Sequence, residues 1–190
     1  MNIKFLVIIS AVWAGVIGAY AEVLMENGFE RGNRDDSGPV GGWVAKTSGK
    51  DDAASGYIKA GTAGNEVHSG SRAVTIVNPR GDVERWYLLN NSLPPATPGA
   101  VYEFTAWVKA EQMTGTRVYL VLEWLDAQKT YPSLKSVESE IITEDQGWVR
   151  VSVSGEAPAD AACVRPILMV DGSSRSKAVV TFDDVELVRK

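Results

Sequence analysis

Two short stretches set aromatic rings beside charged groups. Glu84 and Arg85 run directly into Trp86 and Tyr87, and Tyr119 stands four residues before Glu123. On an extended strand, side chains of equal parity recur every second residue, about 6.6 Å apart. Tyr119, Val121 and Glu123 therefore share one face, at a step close to that of a sugar unit. Flat aromatic rings stack on the apolar C–H faces of sugars, while nearby carboxylates and guanidinium groups bond the hydroxyl rims. Trp86 and Tyr87 point to opposite sides of their strand, so only one reaches a common groove, and Trp86 is the one expected there. Tyr131, in a polar turn before Pro132, offers a further platform from a loop. The candidate ligand residues are thus Trp86, Tyr119 and Glu123, with Arg85 and Tyr131 beside them. Trp107 and Trp148 also fall on the outward parity of their strands. Trp148 either forms an exposed pair with Arg150 or covers an edge.

Catalysis has less to work with. Among the 24 acidic residues, Glu84, Glu103 and Glu123 are the candidates for a carboxylate pair at glycosidase spacing. A glycosidase also needs a deep cleft, which a small sandwich with short turns seldom builds. The single His68 removes His-pair zinc sites, and any His-based triad would have to pass through it. No Gly-x-Ser-x-Gly elbow occurs, and no glycine-rich loop opens a helix. The expectation is a protein that binds without catalysing.

One acid is conspicuous for a different reason. Asp183 shares its parity with Val185 and Leu187, so it points inward if they do. A buried carboxylate costs several kcal/mol unless it is paired or ligates a metal. Glu30 is its natural companion if the two ends of the domain lie adjacent, and hard oxygen ligands suit calcium. Alternatively, Asp183 accepts backbone hydrogen bonds or pairs with Arg72, and binds nothing.

These residues need a frame, and the frame reads as strands. Tyr102, Phe104, Ala106 and Val108 alternate with Glu103, Thr105, Trp107 and Lys109. Val118, Leu120, Leu122 and Trp124 alternate likewise, as do Val149, Val151 and Val153, and Val185 and Leu187. A period of two is what a strand with one buried face requires. Further strands are expected at 25–30, 56–59, 73–77, 83–89, 137–142 and 164–170. Turn residues such as Asn78-Pro79-Arg80-Gly81, Pro98-Gly99 and Asp171-Gly172 punctuate them. No amphipathic helix of three turns is visible. Roughly ten short strands at this spacing point to an all-β, two-sheet antiparallel sandwich or jelly roll. Residues 31–52, rich in Gly, Asp and Ser, read as a long irregular loop. Trp43 is expected to plug one end of the sandwich.

The chain begins with Lys4 and a short apolar run over 5–18, closed by Ala19-Tyr20-Ala21. The run is too short to span a bilayer comfortably, and small residues at 19 and 21 suit a signal peptidase. Residues 1–21 are therefore read as a secretory signal and 22–190 as a single secreted or periplasmic domain. Cys163 is the one cysteine, so no intramolecular disulfide can form. The net charge of −5 argues against nucleic acid and anionic membranes as partners.

Several pieces then align in order: Asn27-Gly28-Phe29-Glu30, Gly42-Trp43, His68-Ser69-Gly70-Ser71-Arg72, Pro98-Gly99 before Tyr102, Gly147-Trp148-Val149, and Phe182-Asp183-Asp184-Val185. This series resembles the jelly-roll carbohydrate-binding modules of the family four, nine and twenty-two type, over nearly the whole of 27–187. The resemblance implies a β-sandwich that binds polysaccharide or oligosaccharide without catalysis and works beside a separate carbohydrate-active enzyme. It also implies a structural calcium held by the side chains of Glu30 and Asp183. Backbone oxygens of Gly28 and of the turn from Ser69 to Arg72 would complete the shell. The competing reading is an extracellular or envelope module that uses the same sandwich for protein contacts.

Overall fold

The computed structural model describes residues 21–30, 42–47, 58–60, 67–77, 85–172 and 176–190. The expected secretory signal and Glu84 therefore lie outside the described residues, apart from Ala21. The described residues contain strands and no helix. The strands are β1 (Glu22–Asn27), β2 (Trp43–Thr47), β3 (Ile58–Ala60), β4 (Val74–Val77), β5 (Arg85–Asn90) and β6 (Val101–Glu111). They continue with β7 (Thr116–Leu125), β8 (Lys135–Glu138), β9 (Gln146–Glu156), β10 (Cys163–Gly172) and β11 (Val179–Arg189). All pair antiparallel. One sheet runs β3-β4-β11-β6-β9, with β1 pairing on β11, and the other runs β2-β5-β10-β7-β8. The result is the jelly-roll sandwich that the alternation predicts. Several elements depart from expectation: the strands expected at 25–30 and 137–142 are Glu22–Asn27 and Lys135–Glu138, and Asp171-Gly172, read as a turn, ends β10. The stretch 31–52, read as loop, contains β2, whose Val44 and Lys46 pair with Leu89 and Tyr87. Five residues among glycines and charges are too short a run to stand out as a strand; the pairing edge of β5 organises them.

The two sheets meet through the apolar sets that the period of two selects. Phe104, Ala106, Val108, Val180, Phe182 and Leu187 face Leu88, Leu120, Leu122, Trp124 and Leu168 across the interior. Trp43 closes one end, tilted against Phe29 and Phe104 at ring separations of 6.1 and 6.4 Å. Phe29 reaches it from a left-handed backbone, φ 56°, a conformation costly for an aromatic residue. The Asn27 side-chain oxygen accepts the Phe29 N–H at 2.7 Å and helps to hold that conformation. This local bond explains the Asn-Gly-Phe-Glu run: it turns the Phe29 ring inward. Tyr102 is buried beside Trp124, and its hydroxyl accepts the Thr97 N–H at 2.7 Å. Cys163 is buried, and burial raises its thiol pKa above the ordinary value, so the neutral thiol is favoured.

Trp86 belongs to this interior. It is 2% exposed and packs in the core cluster, which corrects its expected place on the ligand platform. Within β5 the buried residues Trp86, Leu88 and Asn90 alternate with Arg85, Tyr87 and Leu89, so the charged neighbour Arg85 and the ring of Trp86 point apart. Replacing Trp86 with Ala removes a large core side chain. The variant is expected to lose about 3–5 kcal/mol of stability in a denaturant titration. A loss below about 1 kcal/mol would show that the indole is not part of the core.

Candidate functional site

The five-stranded sheet has a second apolar surface, turned away from the other sheet. Leu89, Tyr119, Val121 and Ile167 form a cluster of their own, packed with Val44, Tyr87 and Met169. Cross-strand register arranges these residues in rows. Lys46, Tyr87, Met169 and Tyr119 stand opposite one another across β2, β5, β10 and β7. The adjoining row is Val44, Leu89, Ile167, Val121 and Glu138. Directly opposed antiparallel residues present their side chains to the same face. The surface is therefore a lattice, with two tyrosines in one row and aliphatic groups in the next.

Ion pairs bound the lattice at both ends. Beyond the aliphatic row, Arg165 of β10 faces Glu123 of β7, and its Nε lies 3.0 Å from the Glu123 carboxylate. Beyond the tyrosine row, Asp171 stands between Arg85 and Arg117. The same Asp171 oxygen accepts from Arg117 at 2.6 Å, from Arg85 at 3.4 Å and from the Tyr119 hydroxyl at 3.3 Å. The Arg117 guanidinium also lies 6.0 Å from the centre of the Tyr119 ring, within cation–π range. Burial raises the phenol pKa values of Tyr87 and Tyr119 above the ordinary value. Nearby carboxylates, Glu123 for Tyr87 and Asp171 for Tyr119, act in the same direction. Both rings therefore stay neutral at physiological pH and keep their hydroxyl groups as hydrogen-bond donors.

Of the residues singled out from sequence, Tyr119, Glu123 and Arg85 come together on this face. Tyr119 is buried among its neighbours, contrary to the open platform expected, and its polar tip is engaged by Asp171. Tyr131 is 83% exposed on the loop between β7 and β8, within electrostatic reach of Tyr87. Tyr87 takes the place assigned to Trp86. Arg165, Asp171 and Arg117 were missed: Asp171, read as a turn residue, lies within β10, and the partners of all three are set by register between strands far apart in sequence.

The other sheet carries a different cluster on its outer face. The His68 ring stacks on Trp107, with centroids 3.8 Å apart and planes 15° apart, and meets Trp148 edge-on. His68 Nδ1 lies 2.7 Å from the Asp184 carboxylate. Both outward tryptophans are thus engaged by the imidazole. A surface cavity of about 460 Å³ opens alongside, between Glu26, Thr105, Trp107, Arg150, Asp184 and Glu186.

Beneath that cluster, the turn at 68–72 sits against two carboxylates. Asp183 is fully buried and accepts the N–H groups of His68 and Ser69 at 2.9 and 3.1 Å and that of Asp184 at 2.8 Å. Burial raises its pKa; the backbone donors oppose that shift. Asp183 and Asp184 occupy an irregularity of β11 that lets Phe182 and Val185 both face the core. The Glu30 carboxylate accepts from Ser71 N and Oγ at 2.9 and 2.7 Å and from Arg72 N at 3.2 Å. These bonds, the side-chain one first, lower its pKa. A Cβ at Gly70 would fall 2.0 Å from the Glu30 carboxylate, so only glycine leaves room there. Both carboxylates thus close on one turn, as expected, and that turn's own N–H groups satisfy them. Gly28 lies beside Asp184, and Ser69 Oγ donates to the Asp184 carboxylate at 2.8 Å. Among the described residues no three acidic, histidine or cysteine side chains gather as a metal cluster. A cation here would need backbone oxygens to complete its shell.

No protein-family model matches the sequence, and no curated protein does. Solved structures do match. A CBM22-2 xylan-binding domain from Paenibacillus barcinonensis Xyn10C superposes with TM-score 0.61 at 17% identity, over 88% of this chain and 99% of its own. The fold is that of jelly-roll carbohydrate-binding modules. TmCBM61 in complex with beta-1,4-galactotriose matches with TM-score 0.53 at 18% identity, over 83% of this chain and 97% of its own. The same fold also serves a cyclase from Fischerella sp. TAU, with TM-score 0.58 at 14% identity, over 90% of this chain and 98% of its own. Fold alone therefore does not choose between binding and catalysis.

Proposed function

We propose that this protein is a secreted, non-catalytic polysaccharide-binding module, and that sugar lies on the outer face of its five-stranded sheet. The row Tyr87, Met169 and Tyr119, set between the Glu123–Arg165 and Asp171–Arg117 pairs, carries this reading. The half-buried Tyr87 ring and Met169 thioether offer an apolar strip beside the buried Tyr119, and the paired charges offer fixed donors and acceptors on both sides. The xylan and galactotriose named for the two binding modules of this fold support a sugar as the ligand. The apolar run at residues 5–18 supports work outside the cytoplasm, and the companion proposed there is a separate carbohydrate-active enzyme.

Affinity electrophoresis in gels containing xylan, galactan and other soluble polysaccharides tests the reading. Retardation is expected in at least one gel. Tyr87→Ala should weaken it roughly two- to tenfold, the worth of one stacking ring. A folded protein that no polysaccharide retards would transfer the assignment to a protein-interaction module.

We also propose a structural calcium at the 68–72 turn, held by the carboxylates of Glu30 and Asp183 with backbone oxygens of Gly28 and of the turn from Ser69 to Arg72. One feature supports it: the fully buried Asp183 carboxylate closes on the same turn as Glu30. The ion would supply charge neutralisation and a rigid tie between the first and last strands. Melting with calcium at a hundredfold excess over its dissociation constant, compared with melting in chelator, should differ by about 2.7 kcal/mol of stability. Identical melting temperatures would assign the turn to hydrogen bonds alone.

A further inference from the structure

We infer that the outer face of the five-stranded sheet selects a carboxylate-bearing polysaccharide, one containing uronic acid residues, with Arg85 and Arg117 receiving the sugar carboxylate. This rests on the carbohydrate-binding reading above and specifies its ligand class. Asp171 can neutralise only one of the two guanidinium groups that share its oxygen. Among the described residues no second carboxylate pairs with either arginine. Both arginine side chains are 50% exposed while the Asp171 side chain is 13% exposed, so the carboxylate is sunk and the two cations stand toward solvent. Two guanidinium groups held this close repel each other, and an incoming anion relieves that repulsion. Each also carries five N–H donors in a planar fork that matches a carboxylate two-pronged.

The position suits a ring that carries its own acid group. The arginine row lies two residues along the strands from Tyr87 and Tyr119, a step of about 6.6 Å. A sugar ring over the tyrosine row would reach the arginines with its exocyclic carboxylate. Charge over the molecule agrees. Among the described residues, the outer face of this sheet sets Lys46, Arg85, Arg117 and Arg165 against Asp171, Glu123 and Glu138, one positive charge in excess, in a chain of net charge −5. Among the described residues, the outer face of the other sheet is acidic, with Glu26, Glu103, Glu111, Glu156, Asp184 and Glu186 against Lys109 and Arg150. Of the two outer faces, the tyrosine lattice therefore repels a polyanion less than the Trp107 face does. A neutral polymer would gain hydrogen bonds from the second arginine but no charge neutralisation.

The test uses glucuronoxylan and the same polymer after chemical reduction of its carboxyl groups, titrated calorimetrically into the full mature protein. At low ionic strength the acidic polymer should bind roughly tenfold more tightly, the effect of a hydrogen-bonded charge pair. That preference should shrink as salt is added. It should vanish in Arg85→Gln and in Arg117→Gln, with binding to the reduced polymer retained, which also shows that both variants are folded. Equal binding of the two polymers would overturn this inference and leave the carbohydrate-binding reading standing. A preference that survives in both variants would overturn the role of these arginines. No binding to either polymer, or to any neutral polysaccharide, would overturn the carbohydrate-binding reading itself.

Discussion

The ligand face of this protein depends on the pleat of β5, β10 and β7 staying in one register. Adjacent residues on a strand point to opposite faces, so a slip of one position would exchange every inward side chain for its outward neighbour. Trp86 would then leave the core and Tyr87 would enter it. The register is held by demands made on both faces. Inside, Trp86, Leu88, Leu120 and Leu168 must fill the space against the opposite sheet. Outside, Tyr87, Met169 and Tyr119 fall in one row and Arg85, Asp171 and Arg117 in the next. Slippage would cost burial on one side and ion pairs on the other.

The outer face is itself an energetic compromise. An apolar stripe of Leu89, Ile167 and Val121 gains stability by packing together. Yet it ends in charges that burial disfavours unless each finds a partner. Glu123 finds Arg165, and Asp171 finds Arg117, Arg85 and the Tyr119 hydroxyl. Pairing fixes these groups in place before any ligand arrives. A surface ordered in advance loses less entropy when it binds.

Alternation made the sandwich legible: Phe104 and Val108, Leu120 and Trp124, Val185 and Leu187 each mark an inward face by simple parity. Parity also placed Tyr119, Val121 and Glu123 on a common outward face. It could not tell which of Trp86 and Tyr87 faced out. That depended on which residues of β2 and β10 lay opposite them. The partners of Glu123 and Arg85 were invisible for the same reason: Arg165 and Asp171 are distant in sequence and meet them only through strand pairing. β2 was missed because five residues between glycines give too little pattern. Asp183 is buried, but not through parity with Val185 and Leu187: the irregularity in β11 sets it opposite Trp107, on the outer side of the sheet beneath the 68–72 turn, whose N–H groups it accepts.

The most direct check on the central claim is a map of amide chemical shifts during titration with soluble xylo-oligosaccharides, neutral and uronate-bearing. If sugar lies on the tyrosine lattice, the perturbed amides will follow β5, β10 and β7 around Tyr87, Met169 and Tyr119. Perturbations gathered around Trp107 and His68 on the opposite sheet, with the lattice silent, would contradict it.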